Sequence, residues 1–169
     1  MVTLSTTAIW SWLEDVKDPE VPVLSVVELG IVRDVRVDDG VVTVTITPTY
    51  SGCPAMHEIE QEIVRALGER GVERVQLETV YAPAWTTDWI SEAAKEKLAA
   101  YGIAPPGRVN EQPNVIAIRS RRAEREAHVP CPFCGSQQTE LRSQYGSTAC
   151  KAIRFCRSCQ QPFEEFKPL

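Results

Sequence analysis

Four of the six cysteines fall into two matching frames, Cys131-Pro-Phe-Cys134 and Cys156-Arg-Ser-Cys159, with 21 residues between them. A C-x-x-C turn sets two sulfurs on one side of a tight knuckle, and two facing knuckles supply a tetrahedron. Zinc favours such a closed four-sulfur arrangement in structural sites. A four-thiolate iron site or an iron–sulfur cluster uses the same ligands, and spacing alone leaves that alternative open. A thioredoxin-type redox pair would need a βαβ context, which the flanking sequence lacks. Between and after the pairs, TELRSQYGST, KAIRFC and PFEEFK read as three short strands. Leu141, Ile153, Phe155, Phe163 and Phe166 are the expected small core. A fold of about 40 residues cannot stand on so little, so the metal would stabilise it directly. Cys150 lies outside both pairs, and a small buried thiol is its plainer reading.

The sixth cysteine stands alone in PTYSGCPAMHE. Pro54 suits the first turn of a helix, which puts Cys53 at or next to the N-cap. The unpaired N–H groups there favour an anion, so the thiolate is expected to be favoured. Gly52 would let another group approach the backbone closely. His57 follows on the same side of the helix, and a thiol enzyme with Cys53 as nucleophile and His57 as base is one alternative. It lacks an orienting third group. The plain alternative is a buried Cys53 and a solvated His57. Asp18, Glu20 and Glu28 in DPEVPVLSVVELG are either solvated carboxylates or hard ligands and partner contacts. Nothing in the spacing gives Cys53 a second protein ligand. A metal there would draw ligands from elsewhere, for instance a second copy of the chain in a homo-oligomer.

These residues need elements to position them. Ile9, Trp10, Leu13 and Val16 predict a helix over 6–17, ended by DPEVP. IVRDVRV and VVTVTIT, split by Asp38-Asp39-Gly40, predict a hairpin. Met56, Ile59, Ile63 and Leu67 make the stripe of a second helix that Gly71 closes. VERVQLETV predicts a third strand, and DWISEAAKEKLAAYG a third helix capped by Thr87 or Asp88. The expected class is α+β, a small mixed sheet with helices packed on one face, followed by a C-terminal zinc ribbon. Residues 1–118 carry nine Lys+Arg against eighteen Asp+Glu, and residues 119–169 nine against five. That shift predicts an α+β domain over 1–118, a linker at 119–129 and the ribbon at 130–169.

Composition excludes several classes. The chain is 43% hydrophobic and 24% charged, as in a globular protein. It has no run of about 20 apolar residues to cross a bilayer. MVTLSTTAIWSWLEDV lacks the basic start of a secretory signal, so a reducing cytoplasmic location and no membrane partner are expected. Four thiolates around Zn²⁺ would cut the tail's net charge of +4 to about +2, and the whole chain is at −5, so a nucleic-acid-binding regulator built on the ribbon ranks last. Neither His57 nor His128 has a Glu three residues before it, as a di-iron oxygenase would require, and Gly-rich nucleotide fingerprints are missing.

DPEVPVLSVVELGIVRDVRV followed by TPTYSGCPA resembles the small domain of iron–sulfur and metal–sulfur cluster assembly factors. PAWTTDWISEAAKEKLAAYGIAPP, CPFCGS, YGSTACKA and CRSCQQPFEEFK extend the resemblance, over nearly the whole chain, to the D-protein family of bacterial phenylacetyl-CoA epoxidase systems. That resemblance implies an accessory component in ring 1,2-epoxidation and phenylacetate catabolism, not the catalytic component. Its implied partners are a di-iron oxygenase and a flavin and iron–sulfur reductase. By the same resemblance Cys53 matches a cysteine contacting iron or a cluster transiently, Asp18 and Glu20 match the DPE stretch beside it, and Cys131, Cys134, Cys156 and Cys159 match the zinc ligands.

Overall fold

Ser5 opens the first helix of the computed structural model, which describes residues 5–50, 52–107 and 129–169. Its hydroxyl accepts the Ala8 N–H at 3.2 Å, capping α1 (Thr6–Leu13), which buries Ile9 and Leu13. The helix stops short of the expected residue 17. Two tightened turns follow, Asp15 N–H to the Trp12 carbonyl and Val16 N–H to that of Leu13. They swing the chain into the DPE segment, where Val26 N–H bonds Val16 and Asp18 N–H bonds Leu24. Val16 therefore stays buried without being helical.

The hairpin forms as expected. Strands β1 (Val32–Asp38) and β2 (Val41–Ile46) pair antiparallel, and Asp39 (φ 48°) with Gly40 (φ 73°) makes a two-residue turn whose left-handed backbone matches the strand twist. A bulge at Arg33 shifts the register between Val32 and Asp34 and turns its guanidinium onto the Trp89 ring, 3.5 Å from the centroid. In β2, Val42, Val44 and Ile46 are fully buried, while Val41, Thr43 and Thr45 on the other face are half-buried. Helix α2 (Ala55–Glu69) crosses over to β3 (Arg74–Thr79), which runs parallel to β2. Its buried Ile59, Ile63 and Leu67 each contribute about 1.5–3 kcal/mol of apolar burial. Gly71 (φ 87°) closes α2, with its own N–H on the Gly68 carbonyl and the Val72 N–H on that of Leu67. The sheet is thus mixed, in the order β1-β2-β3.

Beyond β3, a single 3-10 turn (Thr87–Trp89) precedes α3 (Glu92–Tyr101). Thr86 caps the turn and the Ser91 hydroxyl caps α3 through Ala94 N–H, so neither Thr87 nor Asp88 caps the helix. The chain forms two compact units, residues 1–94 and 95–169, divided within α3. In the second unit β5 (Thr139–Ser143), β6 (Lys151–Cys156) and β7 (Pro162–Phe166) form an antiparallel meander. A two-residue strand, β4 (Ile103–Ala104), pairs parallel with β7, giving the order β4-β7-β6-β5. The charge pattern assigns Ile103 and Ala104 to the first domain instead; two residues carry no periodicity to betray a strand. Of the expected linker, residues 119–128 lie outside the described residues.

The ribbon's core also differs from the expected one. Phe163 and Phe166 are buried, but Leu141, Ile153 and Phe155 are only half-buried. The better-buried residues of β6 are Ala152, Arg154 and Cys156, with Lys151 on the other face. Each buried cation has an acid. Arg154 Nε lies 2.5 Å from Glu165 Oε2, and Lys151 Nζ lies 3.1 Å from Glu164 Oε2. Among the described residues no helix is long and apolar enough to cross a membrane.

Candidate metal and thiol sites

The ribbon brings its four cysteines together. One ligand sulfur from each of Cys131, Cys134, Cys156 and Cys159 lies within 4.8 Å of the others. The knuckles are built alike, with a left-handed residue directly after each second cysteine, Gly135 (φ 71°) and Gln160 (φ 58°). Cys131 N–H bonds the Ser136 carbonyl and Cys156 N–H that of Gln161. The hydroxyls of Ser136 and Ser158 meet at 2.7 Å, tying one knuckle to the other. Across the site the Cys131–Cys159 sulfurs are 3.7 Å apart and the Cys134–Cys156 sulfurs 3.6 Å. Tetrahedral zinc with about 2.3 Å Zn–S bonds would space its sulfurs about 3.8 Å apart. The donor set therefore fits, and the group is a metal-binding arrangement.

Electrostatics within the four are uneven. The N–H groups of Cys159 and Ser158 point at the Cys156 sulfur and bring its thiol down to about 6. Burial and the neighbouring thiols of Cys156 and Cys134 push Cys159 up to about 12. Without a cation, the sulfurs compete for charge. Cys150 takes no part: it is 4% exposed, 3.0 Å from the Thr148 hydroxyl, with its carbonyl on Lys167 N–H.

Cys53 sits in different surroundings. Its N–H bonds the Tyr50 carbonyl, closing a turn that holds Gly52 at φ 90°. Among the described residues nothing lies near where a Cβ of Gly52 would be, so this glycine serves the backbone conformation, not a close approach. Pro54 is the N-cap of α2, and its position is met with helical dihedrals but no side-chain cap. The Cys53 sulfur fills that gap by accepting the Ala55 N–H, and the Thr49 hydroxyl donates to it as well.

The expectation of a lowered thiol fails. Burial is the largest influence and raises the Cys53 pKa, the Ala55 N–H and the Thr49 hydroxyl lower it, the carboxylates of Glu20 and Asp18 raise it, and the net shift is upward. Those two acids are thus neighbours of Cys53, which sequence position alone could not reveal. Asp18 is 6% exposed, and its Oδ1 accepts the N–H groups of Glu20 (2.8 Å) and Val21 (2.7 Å). Glu20 is half-buried beside it. Among the described residues, however, Cys53, Asp18 and Glu20 do not close into a metal-holding group as the ribbon cysteines do.

The other candidates have local roles. Glu28 and Ser25 form a reciprocal capping box, Ser25 N–H to Glu28 Oε2 at 2.9 Å and Glu28 N–H to Ser25 Oγ at 3.0 Å. That S-x-x-E signature is readable in SVVE. His57 is exposed and faces Gln61, its Nε2 3.0 Å from the amide nitrogen. Thr49 carries no sequence signal of its own, and only its place four residues before Cys53 hints at it.

With this geometry the chain can be set beside known proteins. Residues 6–79 match the family model described as iron–sulfur cluster assembly protein, and residues 117–167 match that of the PaaD zinc beta ribbon domain. Over 160 residues the chain is 44% identical to an Escherichia coli (strain K12) protein provisionally named as the D component of 1,2-phenylacetyl-CoA epoxidase, covering 94% of this chain and 90% of that one. Over 88 residues it is 39% identical to a Porphyromonas gingivalis protein named Fe-S protein maturation auxiliary factor, covering 51% of this chain and 83% of that one. A solved structure of a DUF59 domain from Bacillus anthracis superposes with a TM-score of 0.52 at 30% identity, over 55% of this chain and 90% of that one.

Proposed function

The chain belongs to the D-protein family of 1,2-phenylacetyl-CoA epoxidase systems, an iron–sulfur assembly domain joined to a zinc ribbon, and from that membership we propose that it matures the epoxidase of phenylacetate catabolism by assisting iron or iron–sulfur centre assembly. The clients are the di-iron oxygenase or its flavin and iron–sulfur reductase, and the setting is cytoplasmic. Cys131, Cys134, Cys156 and Cys159 hold a resident zinc, which supplies rigidity and no chemistry. Cys53 contacts the iron cargo, Glu20 stands beside it, and Asp18 positions Glu20 through the bond to its N–H.

The single observation that carries this reading is the incomplete ligand set at Cys53. One half-buried thiol with two carboxylates near it can touch a metal species without closing around it. Acids that oppose a thiolate favour a cation at the same place, by the same electrostatics. A thiol enzyme would want a base on that sulfur, whereas His57 is engaged with Gln61.

The test is co-expression of oxygenase and reductase with wild type or Cys53→Ser. Serine keeps an acceptor for the Ala55 N–H, so the fold and its zinc should survive. Client iron content and growth on phenylacetate should both be lost. A Cys53→Ser strain with fully metallated clients and normal growth sinks the proposal.

A further inference from the structure

The four ribbon sulfurs are not equally sheltered. Each knuckle buries its first cysteine, with Cys131 2% and Cys156 0% exposed, and turns its second outward, with Cys134 exposed and Cys159 half-buried. The close pairs join an outer sulfur to an inner one of the opposite knuckle, Cys134 to Cys156 at 3.6 Å and Cys159 to Cys131 at 3.7 Å. From this geometry, and resting on the metal-site reading above, we propose that Cys134 is an oxidation site for hydroperoxides and that its resolving partner is Cys156.

The step balances with hydrogen peroxide as the oxidant. The Cys134 sulfur attacks one peroxide oxygen, the O–O bond breaks, and hydroxide leaves, giving a sulfenic acid. The Cys156 sulfur then displaces hydroxide from Cys134, forming the S–S bond. Two electrons pass from the sulfurs to the peroxide, and with two protons it ends as two waters. Two of the four ligands are consumed, so the metal is released.

The pairing decides what happens to the fold. A link within a knuckle, Cys131 to Cys134 or Cys156 to Cys159, would leave the two knuckles untied. A Cys134–Cys156 bond joins the same two chain segments that the metal joins, at the end of β6 where Cys156 pairs with Thr139. Oxidation thus exchanges one latch for another, and a thiol reductant restores the thiols for remetallation. Cys150 stands apart, buried against Thr148.

The experiment treats the full-length metallated chain with equimolar hydrogen peroxide. Released metal is followed with a chromophoric chelator, disulfides are mapped by mass spectrometry, and ribbon integrity is probed by limited proteolysis. The expected result is metal loss together with a Cys134–Cys156 peptide and a ribbon as protease-resistant as before. Cys134→His keeps a zinc ligand while removing the attacked sulfur, and should lose the fast phase of metal release. Cys150→Ser should respond as wild type does. Chain that purifies without metal would speak against the metal-site reading alone, since the same disulfide is then expected in the metal-free protein. Links within a knuckle, a Cys131–Cys159 link formed first, or unchanged release from Cys134→His would overturn the inference.

Discussion

The ribbon and the Cys53 loop both present sulfur, but the fold completes one site and leaves the other open. In the ribbon, two knuckles of like construction converge until four sulfurs lie within 4.8 Å. At Cys53 one sulfur caps a helix, faces two carboxylates from an earlier loop, and meets no second thiol among the described residues. A closed site holds what it binds; an open one can pass it on. Cysteine count therefore says less about a sulfur's role than the number of donors the backbone brings within bonding distance.

The largest effect is expected at the ribbon. Cys156→Ser should abolish stoichiometric zinc, since structural zinc sites carry about 10–16 kcal/mol of apparent binding energy. Protease resistance of the second unit should go with it, while helical circular dichroism from the first unit persists. A ribbon variant that retains full zinc would mean the two sites are not different in kind.

A smaller effect separates the metal's contribution from that of the sheet. Arg154→Met strands the buried Glu165 carboxylate and should cost about 3–5 kcal/mol of ribbon stability in denaturant titration. Adding Glu165→Leu should recover most of it, because an apolar pair needs no partner charge. Zinc stoichiometry below denaturing conditions should not change. If the single variant is as stable as wild type, the metal alone holds the ribbon.

At the open site the expected effect is a shift in titration. Alkylation of Cys53 by iodoacetamide, followed by peptide mass spectrometry, should have its midpoint above the ordinary thiol value of about 8.5, because burial and the Glu20 and Asp18 carboxylates disfavour the thiolate. Glu20→Gln removes one of those charges and should move the midpoint down. A midpoint at or below the ordinary value in wild type would mean that the helix N-terminus dominates after all. Least of all should happen at His57. Its replacement by alanine should change stability by no more than about 0.5 kcal/mol and leave client metallation intact; a loss of metallation would revive the base reading.

How much of this is legible in the sequence depends on whether the signal is local. The C-x-x-C pairs fix their own knuckles, so Cys131, Cys134, Cys156 and Cys159 stand out by spacing. Asp39-Gly40 demands its turn, and the Ile59, Ile63, Leu67 stripe its helix. The environment of Cys53 is not local. Its helix position argues for a favoured thiolate, and burial in the folded chain reverses the balance, with the Glu20 and Asp18 carboxylates of the DPE loop adding to it. In β6 the alternation misleads by one residue, because Ile153 and Phe155 look like core while Arg154 and Lys151 look like surface. Buried ion pairs invert that rule, and their acids lie on another strand.

Strand β4 bears on heredity as well as on packing. Ala104 lies in the core cluster with Cys131, Cys156 and Phe163, yet the stretch matching the ribbon family begins at residue 117. A recombination event that copied only that stretch into a new host gene would carry every sulfur and forget a wall of the room they occupy. The recipient would have to supply its own strand for β7. Lineages that inherit this ribbon intact are therefore expected to inherit the end of α3 with it, as a single genetic parcel whose border lies upstream of where the cysteines begin.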